Sequence, residues 1–327
     1  MALLTVDNIS RKEGGNYTVR PTSFSQQAFE QIAIAGETGS GKTSLMKMLA
    51  GLVQPHAGEI RLAGERVAGP LDKLLPGHRS IAYLSQHFEL RNNYYVHEIL
   101  DYANQLTADE AFNLYKVCQI EHLLARKTDQ LSGGEKQRIA LAKLLITSPK
   151  LLLLDEPFSN LDSLHRAVIK EVIHGLAEKL GITCMMISHD AEDILSWADT
   201  IFIMKDGEIV QRGTAKEIYR RPVSEYCAGL FGAYNIIDIA APGLQAACKE
   251  LTVNEKKVVV RPENLVLQPA TGEGAVATIT RVFFRGNHYA IEVLVGQHLL
   301  KAYVNKTSFL AGDTVKLSFA AEDVWYM

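Results

Sequence analysis

Three short stretches carry residues whose types and spacing suit phosphate chemistry. GETGSGKT (36–43) sets glycines, a lysine and a threonine in the order GxxxxGKT. In that pattern backbone N–H groups cradle phosphates, the lysine bridges the β- and γ-phosphates, and the hydroxyl reaches Mg²⁺. KLLLLDEP (150–157) ends an apolar run on Asp155 and Glu156. Asp155 suits the outer shell of Mg²⁺, and Glu156 suits a general base polarising a water in line with the γ-phosphorus. LSGGEKQR (131–138) sets Ser132, Gly133, Gly134 and Glu135 before a helical pattern. A helix N-cap accounts for a serine but gives no reason for two glycines beside it.

The elements that must position these groups surround them. QIAIA (31–35) reads as a buried strand running into the glycine loop, and SLMKMLAGL (44–52) has helical spacing. Strand, glycine loop and helix are the context in which the first pattern binds nucleotide. Gly36, Gly39 and Gly41 allow the tight turn, and a helix starting near Lys42 adds its positive dipole end. Gly36, Glu37, Thr38, Gly39, Ser40, Gly41, Lys42, Thr43 and Ser44 are therefore the candidate nucleotide contacts. Leu151, Leu152, Leu153 and Leu154 predict a strand buried on both faces, as a parallel sheet requires. Its carboxyl end is where open α/β sheets bind ligands.

The bulk numbers narrow the field. A chain of 327 residues leaves room for about two domains of roughly 100–200 residues. A net charge of −3 does not advertise a polyanion, so no nucleic acid is expected as partner. Cys118, Cys184, Cys227 and Cys248 lie far apart without a CxxC pair, which argues for small buried thiols rather than zinc or disulfides. MALLTVDNIS has no basic region before its apolar residues and does not read as a signal peptide. No apolar run approaches the ~18 residues of a membrane span.

Taken in order, the phosphate loop, LSGGEKQR and LLLLDEP resemble the ATP-binding cassette (ABC) ATPases, the motor subunits of ABC transporters. The resemblance covers 3–235 and implies a P-loop α/β cassette with a RecA-like core and a helical subdomain at about 88–135. Further motifs match. Gln86, in AYLSQH, resembles the Q-loop glutamine that senses Mg²⁺ and contacts the membrane subunit. Asp162 closes SNLD (159–162), similar to the D-loop, and His189, in MMISHD, is similar to the switch histidine at the γ-phosphate. In this family two cassettes stack head to tail. Ser132, Gly133, Gly134 and Glu135 of one chain would then face the ATP held by the phosphate loop of the other, which would explain the paired glycines.

Two positions depart from the family pattern. The aromatic residue expected to stack on adenine falls near Glu13, and Tyr17 is the nearest ring; it is either the stacking residue or an ordinary strand residue. Phe29 stands where the family usually has glycine. In the family the helical segment that corresponds to the one after Phe88 is the part that receives a helix of the permease. Tyr94 and Tyr95 belong either to that groove or to the subdomain's own core, with at least one expected in the core.

Beyond IFIMKDGEIVQRG (201–213), a hairpin turning on Asp206-Gly207, small residues around 229–242 suggest a boundary. From Val258 short alternating runs predict a small all-β barrel. RPENLVL (261–267) and the strands after it resemble the TOBE domain of ABC importers for sugars, polyamines, ferric iron or oxyanions. The expected domains are thus 1–235 and 236–327, the second for dimer contact or regulation. The resemblance implies an importer ATPase using ATP and Mg²⁺ as a homodimer. It would work on permease subunits at the cytoplasmic face of the inner or plasma membrane, and through them with an extracytoplasmic solute-binding protein. The alternatives are an exporter ATPase, which usually lacks the barrel, and a soluble ABC ATPase, which usually carries two cassettes or long coiled coils.

Overall fold

The computed structural model describes residues 2–85, 90–159, 161–238, 244–248 and 257–326. Two compact units result, Met1–Ala215 and Lys216–Met327.

The first unit holds one helix between two sheets. In the smaller sheet β1 (Ala2–Glu13), β2 (Asn16–Gln27), β4 (Ala57–Leu62) and β5 (Glu65–Arg66) run antiparallel in the order β2-β1-β4-β5. The larger sheet contains β3 (Gln31–Ala35), β6 (Ile81–Leu84), β7 (Leu151–Asp155), β8 (Thr183–Ile187), β9 (Thr200–Lys205) and β10 (Glu208–Gly213). Its order is β10-β9-β3-β8-β7-β6, parallel except for the edge strand β10. QIAIA, LLLLD and TCMMI are buried at every position, which is why they lack polar alternation. Each buried leucine of β7 contributes about 2 kcal/mol. Helix α1 (Lys42–Leu49) buries Leu45, Met46, Met48 and Leu49 in a core shared with Leu4, Val6 and Phe24 of the smaller sheet and Ile32, Leu153 and Met185 of the larger. The β9–β10 hairpin turns on Asp206 and Gly207, both at positive φ, as its sequence predicts.

Four further helices complete the part of this unit that matters for the site and its helical segment. They are α2 (Val96–Ala103), α3 (Ala108–Val117), α4 (Gly133–Leu145) and α5 (Ser163–Leu180), followed by the short α6 (Ala191–Trp197). Helix α3 starts on a Thr107/Glu110 capping box, in which side chain and backbone satisfy each other's free groups. The expectation that Tyr94 or Tyr95 sits in the core is corrected, since they are 45% and 40% exposed. Backbone pairing of Tyr94 and Val96 with Thr128 and Arg126 turns both rings outward, and Val96, Ile99 and Leu100 take the core positions. Phe29 adopts a φ of 68°, the left-handed conformation that favours the glycine expected there. All four cysteines are buried and none forms a disulfide, and burial pushes the Cys118 and Cys184 thiols up to about 12. Among the described residues no helix is long and apolar enough to cross a membrane.

The second unit opens with the short helices α7 (Ala215–Arg220) and α8 (Glu225–Leu230). Among the described residues eight strands follow: β11 (Asn235–Asp238), β12 (Lys257–Val260), β13 (Val266–Pro269), β14 (Ala275–Phe284), β15 (Tyr289–Val295), β16 (His298–Val304), β17 (Thr314–Ser318) and β18 (Val324–Tyr326). They form two antiparallel sheets, β11-β12-β18 and β13-β17-β14-β15-β16. The two sheets share one core, with Val258 and Val260 against Ile279, Ile291, Val293 and Val315. The predicted barrel is thus a curled half-barrel.

The two units divide about twenty residues before the limit expected at residue 235, because α7 and α8 go with the strands. Arg261, buried at the end of β12, explains this. Its guanidinium donates to the carbonyls of Tyr219, Ala228, Gly232 and Ala233 and lies 4.1 Å from the Tyr219 ring centroid. Replacing Arg261 with Met would leave those carbonyls unsatisfied, and each unpaired buried group costs about 1–3 kcal/mol. Denaturant unfolding of Arg261→Met should show a loss of roughly 3 kcal/mol; an unchanged midpoint would mean that the helices hold by packing alone.

Candidate active site

The phosphate loop follows directly from β3. Gly36 and Gly41 have positive φ, and a Cβ would come within 2.3 Å of the Met204 carbonyl at the first and 2.2 Å of the Thr18 carbonyl at the second. Only glycine fits there. Gly39 also has positive φ but nothing lies within 4 Å of where its Cβ would be, so the crest of the loop is open space. Thr38 and Glu37 are exposed on that crest, while Ser40 is buried beneath it. Lys42 is buried at the start of α1, next to Thr43 and Ser44. Its Nζ donates to the carbonyls of Gly36 (2.8 Å) and Glu37 (2.7 Å). Burial lowers its pKa, against the pull of Glu156, Asp155 and Glu37.

Asp155 ends β7 and is 4% exposed. The Thr43 hydroxyl donates to one carboxylate oxygen at 3.3 Å and the Tyr83 hydroxyl to the other at 2.7 Å. Burial, and then the Asp155 contact, push the Tyr83 phenol far above the usual tyrosine range. Glu156 leaves the strand with a φ of 51°, a sparsely populated conformation of the kind that clusters at functional sites. Its N–H donates to the Ile187 carbonyl of β8 at 3.0 Å, and its own carbonyl accepts from the Ser159 N–H and hydroxyl. That bend lets two adjacent carboxylates face one region although strand neighbours alternate. The Glu156 carboxylate lies 3.7 Å from Nδ1 of His189, whose side chain is 66% exposed beyond the end of β8.

The donors fit Mg²⁺. The Thr43 hydroxyl and the Asp155 carboxylate are hard oxygens, and a magnesium ion held by one or two protein groups takes its other ligands from phosphate and water. Among the described residues no cluster of three or more His, Cys, Asp or Glu could hold a metal by itself. Tyr17 stands on β2 with its ring 40% exposed and Lys12 Nζ 4.5 Å from the ring centroid. Its neighbour Thr18 is the residue that presses on Gly41, so the strand carrying Tyr17 borders the loop. Gln86 lies outside the described residues.

Ser132, Gly133, Gly134 and Glu135 form a second cluster at the start of α4. Ser132 is the N-cap and closes a capping box with Glu135. Burial would raise the Glu135 pKa, but its bonds from Ser132 and the nearby Arg126 and Arg138 hold it below the ordinary value. Gly133 faces open space, whereas a Cβ on Gly134 would come 2.6 Å from the His165 ring. Nδ1 of His165 is bonded to Asp162, the N-cap of α5, at 2.7 Å. Asp162 also accepts from the N–H groups of Leu164 and His165, and His165 is the first cause of its lowered pKa. One turn on, Arg166 binds Asp190 (2.6 Å) and the buried Asp193, fixing the segment after His189. Tyr83, His165 and Arg166 carry no motif; only the contacts between elements reveal them.

This is a phosphate-loop nucleoside triphosphatase with a second glycine-bearing helix start, capped by Ser132, apart from the first. Two family models match the chain, the ABC transporter model over residues 19–159 and the TOBE domain model over 258–327. The chain is 31% identical to the Fe(3+) ions import ATP-binding protein FbpC 1 of Rhodococcus jostii (strain RHA1), over 99% of this chain and 98% of that protein. It is 33% identical to the molybdate/tungstate import ATP-binding protein WtpC of Pyrococcus abyssi (strain GE5 / Orsay), over 94% of each. Among solved structures it resembles cbiO1 of Clostridium perfringens, part of the ABC transporter complex cbiONQ, with a TM-score of 0.58 and 27% identity over 66% of this chain and 90% of that one. The ATP-binding cassette MJ0796, solved as a dimer bound to ADP and Pi, has a TM-score of 0.54 and 25% identity over 65% and 98%. The chain belongs to the ABC transporter family, as an ATP-binding cassette ATPase that carries a TOBE domain.

The contact between Gly134 and His165 has a measurable consequence. Gly134→Ala should destabilise the protein by about 1–3 kcal/mol, the usual cost of overpacking. Most of that loss should vanish in a His165→Ala background, read as thermal melting of the four proteins in the cycle. Equal losses in both backgrounds would show that the glycine is required by something other than the imidazole.

Proposed function

We propose that this chain is the ATP-hydrolysing subunit of an ABC importer, working as a head-to-tail homodimer on membrane permease subunits. The hydrolytic half of the reading is carried by one arrangement: Asp155 and Glu156 at the end of β7, between Thr43 on one side and His189 on the other. The importer half is supported by relatives that match nearly the whole chain and are import ATP-binding proteins. The permease holds the chain at the cytoplasmic face of the membrane, and an extracytoplasmic solute-binding protein delivers the solute. Those two relatives move a cation and an oxyanion, so solute choice lies in the permease and binding protein rather than in the cassette.

In this reading the loop 36–44 holds the triphosphate of ATP. Lys42 Nζ exchanges the Gly36 and Glu37 carbonyls for β- and γ-phosphate oxygens, and the open crest at Gly39 leaves room for them. Tyr17 stacks on adenine. Thr43, Asp155 and Gln86 hold Mg²⁺, which neutralises phosphate charge when bound. Glu156 accepts a proton from the attacking water, and His189 contacts the γ-phosphate beside it. Ser132, Gly133 and Gly134 of the second copy offer hydroxyl and N–H donors to that phosphate, with Glu135 fixing the capping serine and Asp162 bordering the same face. ATP therefore joins two chains, and loss of phosphate lets them part.

Glu156→Gln should bind ATP as the parent does, lose at least about 100-fold in turnover, and accumulate as an ATP-bound dimer in light scattering. Turnover at the parent rate would remove Glu156 as the base. For the importer assignment, the chain captured from mildly solubilised membranes should bring a permease with it. Recovery of soluble partners alone would overturn that assignment while leaving the ATPase.

A further inference from the structure

Strands β6 and β7 run parallel with Tyr83 opposite Leu153 and Leu84 opposite Leu154. Side chains alternate along a strand, so Tyr83, Leu153 and Asp155 share one face, with Asp155 two residues beyond the position opposite Tyr83. Diagonal neighbours across a sheet lie about 7–8 Å apart, within reach of an aromatic side chain. The Tyr83 ring spans that gap and delivers its hydroxyl to the Asp155 carboxylate at 2.7 Å. The other carboxylate oxygen faces the Thr43 hydroxyl at 3.3 Å. A phenylalanine would fill the same volume and leave one oxygen of a nearly inaccessible carboxylate without its donor.

From this we infer that Tyr83 is a positioning residue for the metal site. Its hydroxyl fixes the plane of the Asp155 carboxylate, so that the oxygen beside Thr43 is the one presented to Mg²⁺ and its waters. Groups that orient a metal-binding carboxylate in this way set how tightly the ion is retained. Tyr83 does not reach the phosphate loop's N–H groups through any bond of its own, so it leaves the affinity for metal-free nucleotide alone. The bond also ties the end of β6, three residues before Gln86, to the carboxylate that senses the ion. The inference rests on the assignment of Asp155 to Mg²⁺ made above.

The test uses the full-length protein and two variants, Tyr83→Phe and Asp155→Asn, each with ATP. Mn²⁺ serves as the metal probe, with electron paramagnetic resonance counting free and bound ion; ATP affinity in EDTA is measured alongside. Tyr83→Phe should weaken Mn²⁺ retention in the ATP complex by about 10-fold or more, raise the Mg²⁺ concentration needed for half-maximal turnover in parallel, and leave ATP affinity in EDTA within about two-fold. Thermal melting of Tyr83→Phe separates this from a folding defect, which would weaken nucleotide binding with and without metal alike. Parent-like Mn²⁺ retention in Tyr83→Phe, with retention lost in Asp155→Asn, would overturn the role of Tyr83 and leave Asp155 in place. Parent-like retention in Asp155→Asn would overturn both.

Discussion

A buried carboxylate at the end of an all-leucine strand is the constraint around which the cassette is arranged. Taking an ionised group out of water costs several kcal/mol unless donors meet it, and Asp155 is almost wholly inaccessible. Its donors come from two directions. The Thr43 hydroxyl arrives from α1, which β3 and the glycine loop deliver, and the Tyr83 hydroxyl arrives from β6. Both arrive only if β3, β6, β7 and β8 keep their parallel register. The apolar core therefore sets the geometry of the phosphate site, and the cost of burying Asp155 makes that geometry specific.

A second arrangement links the helix start at Ser132 with the segment around His189. The first turn of α5 touches both of them. Its His165, bonded to the N-cap Asp162, meets Gly134 at the start of α4, and Arg166 holds Asp190 and Asp193 just after His189. Lys170, one turn further, adds a second cation on the buried Asp193. Removing one partner of such a network strands a buried charge, so the network behaves as a unit. A shift of the segment around His189 would thus be felt at the helix end that offers Ser132 and the two glycines. The side chain of Gln137 also reaches the Pro157 carbonyl, just past Glu156, giving α4 a second tie to the same strand end.

What the sequence made legible was local. The glycine loop, the leucine strand and the Asp206-Gly207 hairpin are each written in consecutive residues, and each appears where its residues stand. The bend at Glu156 was not legible, because nothing in the residues around it marks a positive φ. Tyr83 and Arg166 were illegible because their partners lie 72 and 24 residues away, and His165 because its contact with Gly134 depends on how α4 and α5 pack. Arg261 was read only as part of RPENLVL, because its four carbonyl partners lie on the helices and turn before β11, and that same reach moves the division between the units upstream. At least one of Tyr94 and Tyr95 was expected in the core, an expectation that does not register the backbone pairing beside them.

The paired glycines can now be separated. Gly134 has a reason inside a single chain, because the His165 ring occupies the space a side chain would need. Gly133 has none: its backbone is unstrained, it is exposed, and nothing lies where a Cβ would stand. Glycine loses more conformational freedom on folding than any other residue, so it is favoured only where something requires it. A glycine that neither turn geometry nor packing within the chain requires leaves close approach from outside as its physical use. The N–H groups at that helix end are open to an anion, and a phosphate carried by a second copy of the cassette is an anion of the right size to take them. In the proposed dimer the first glycine would thus serve the partner's phosphate, whereas the second is required by the fold, although the two stand side by side in the sequence.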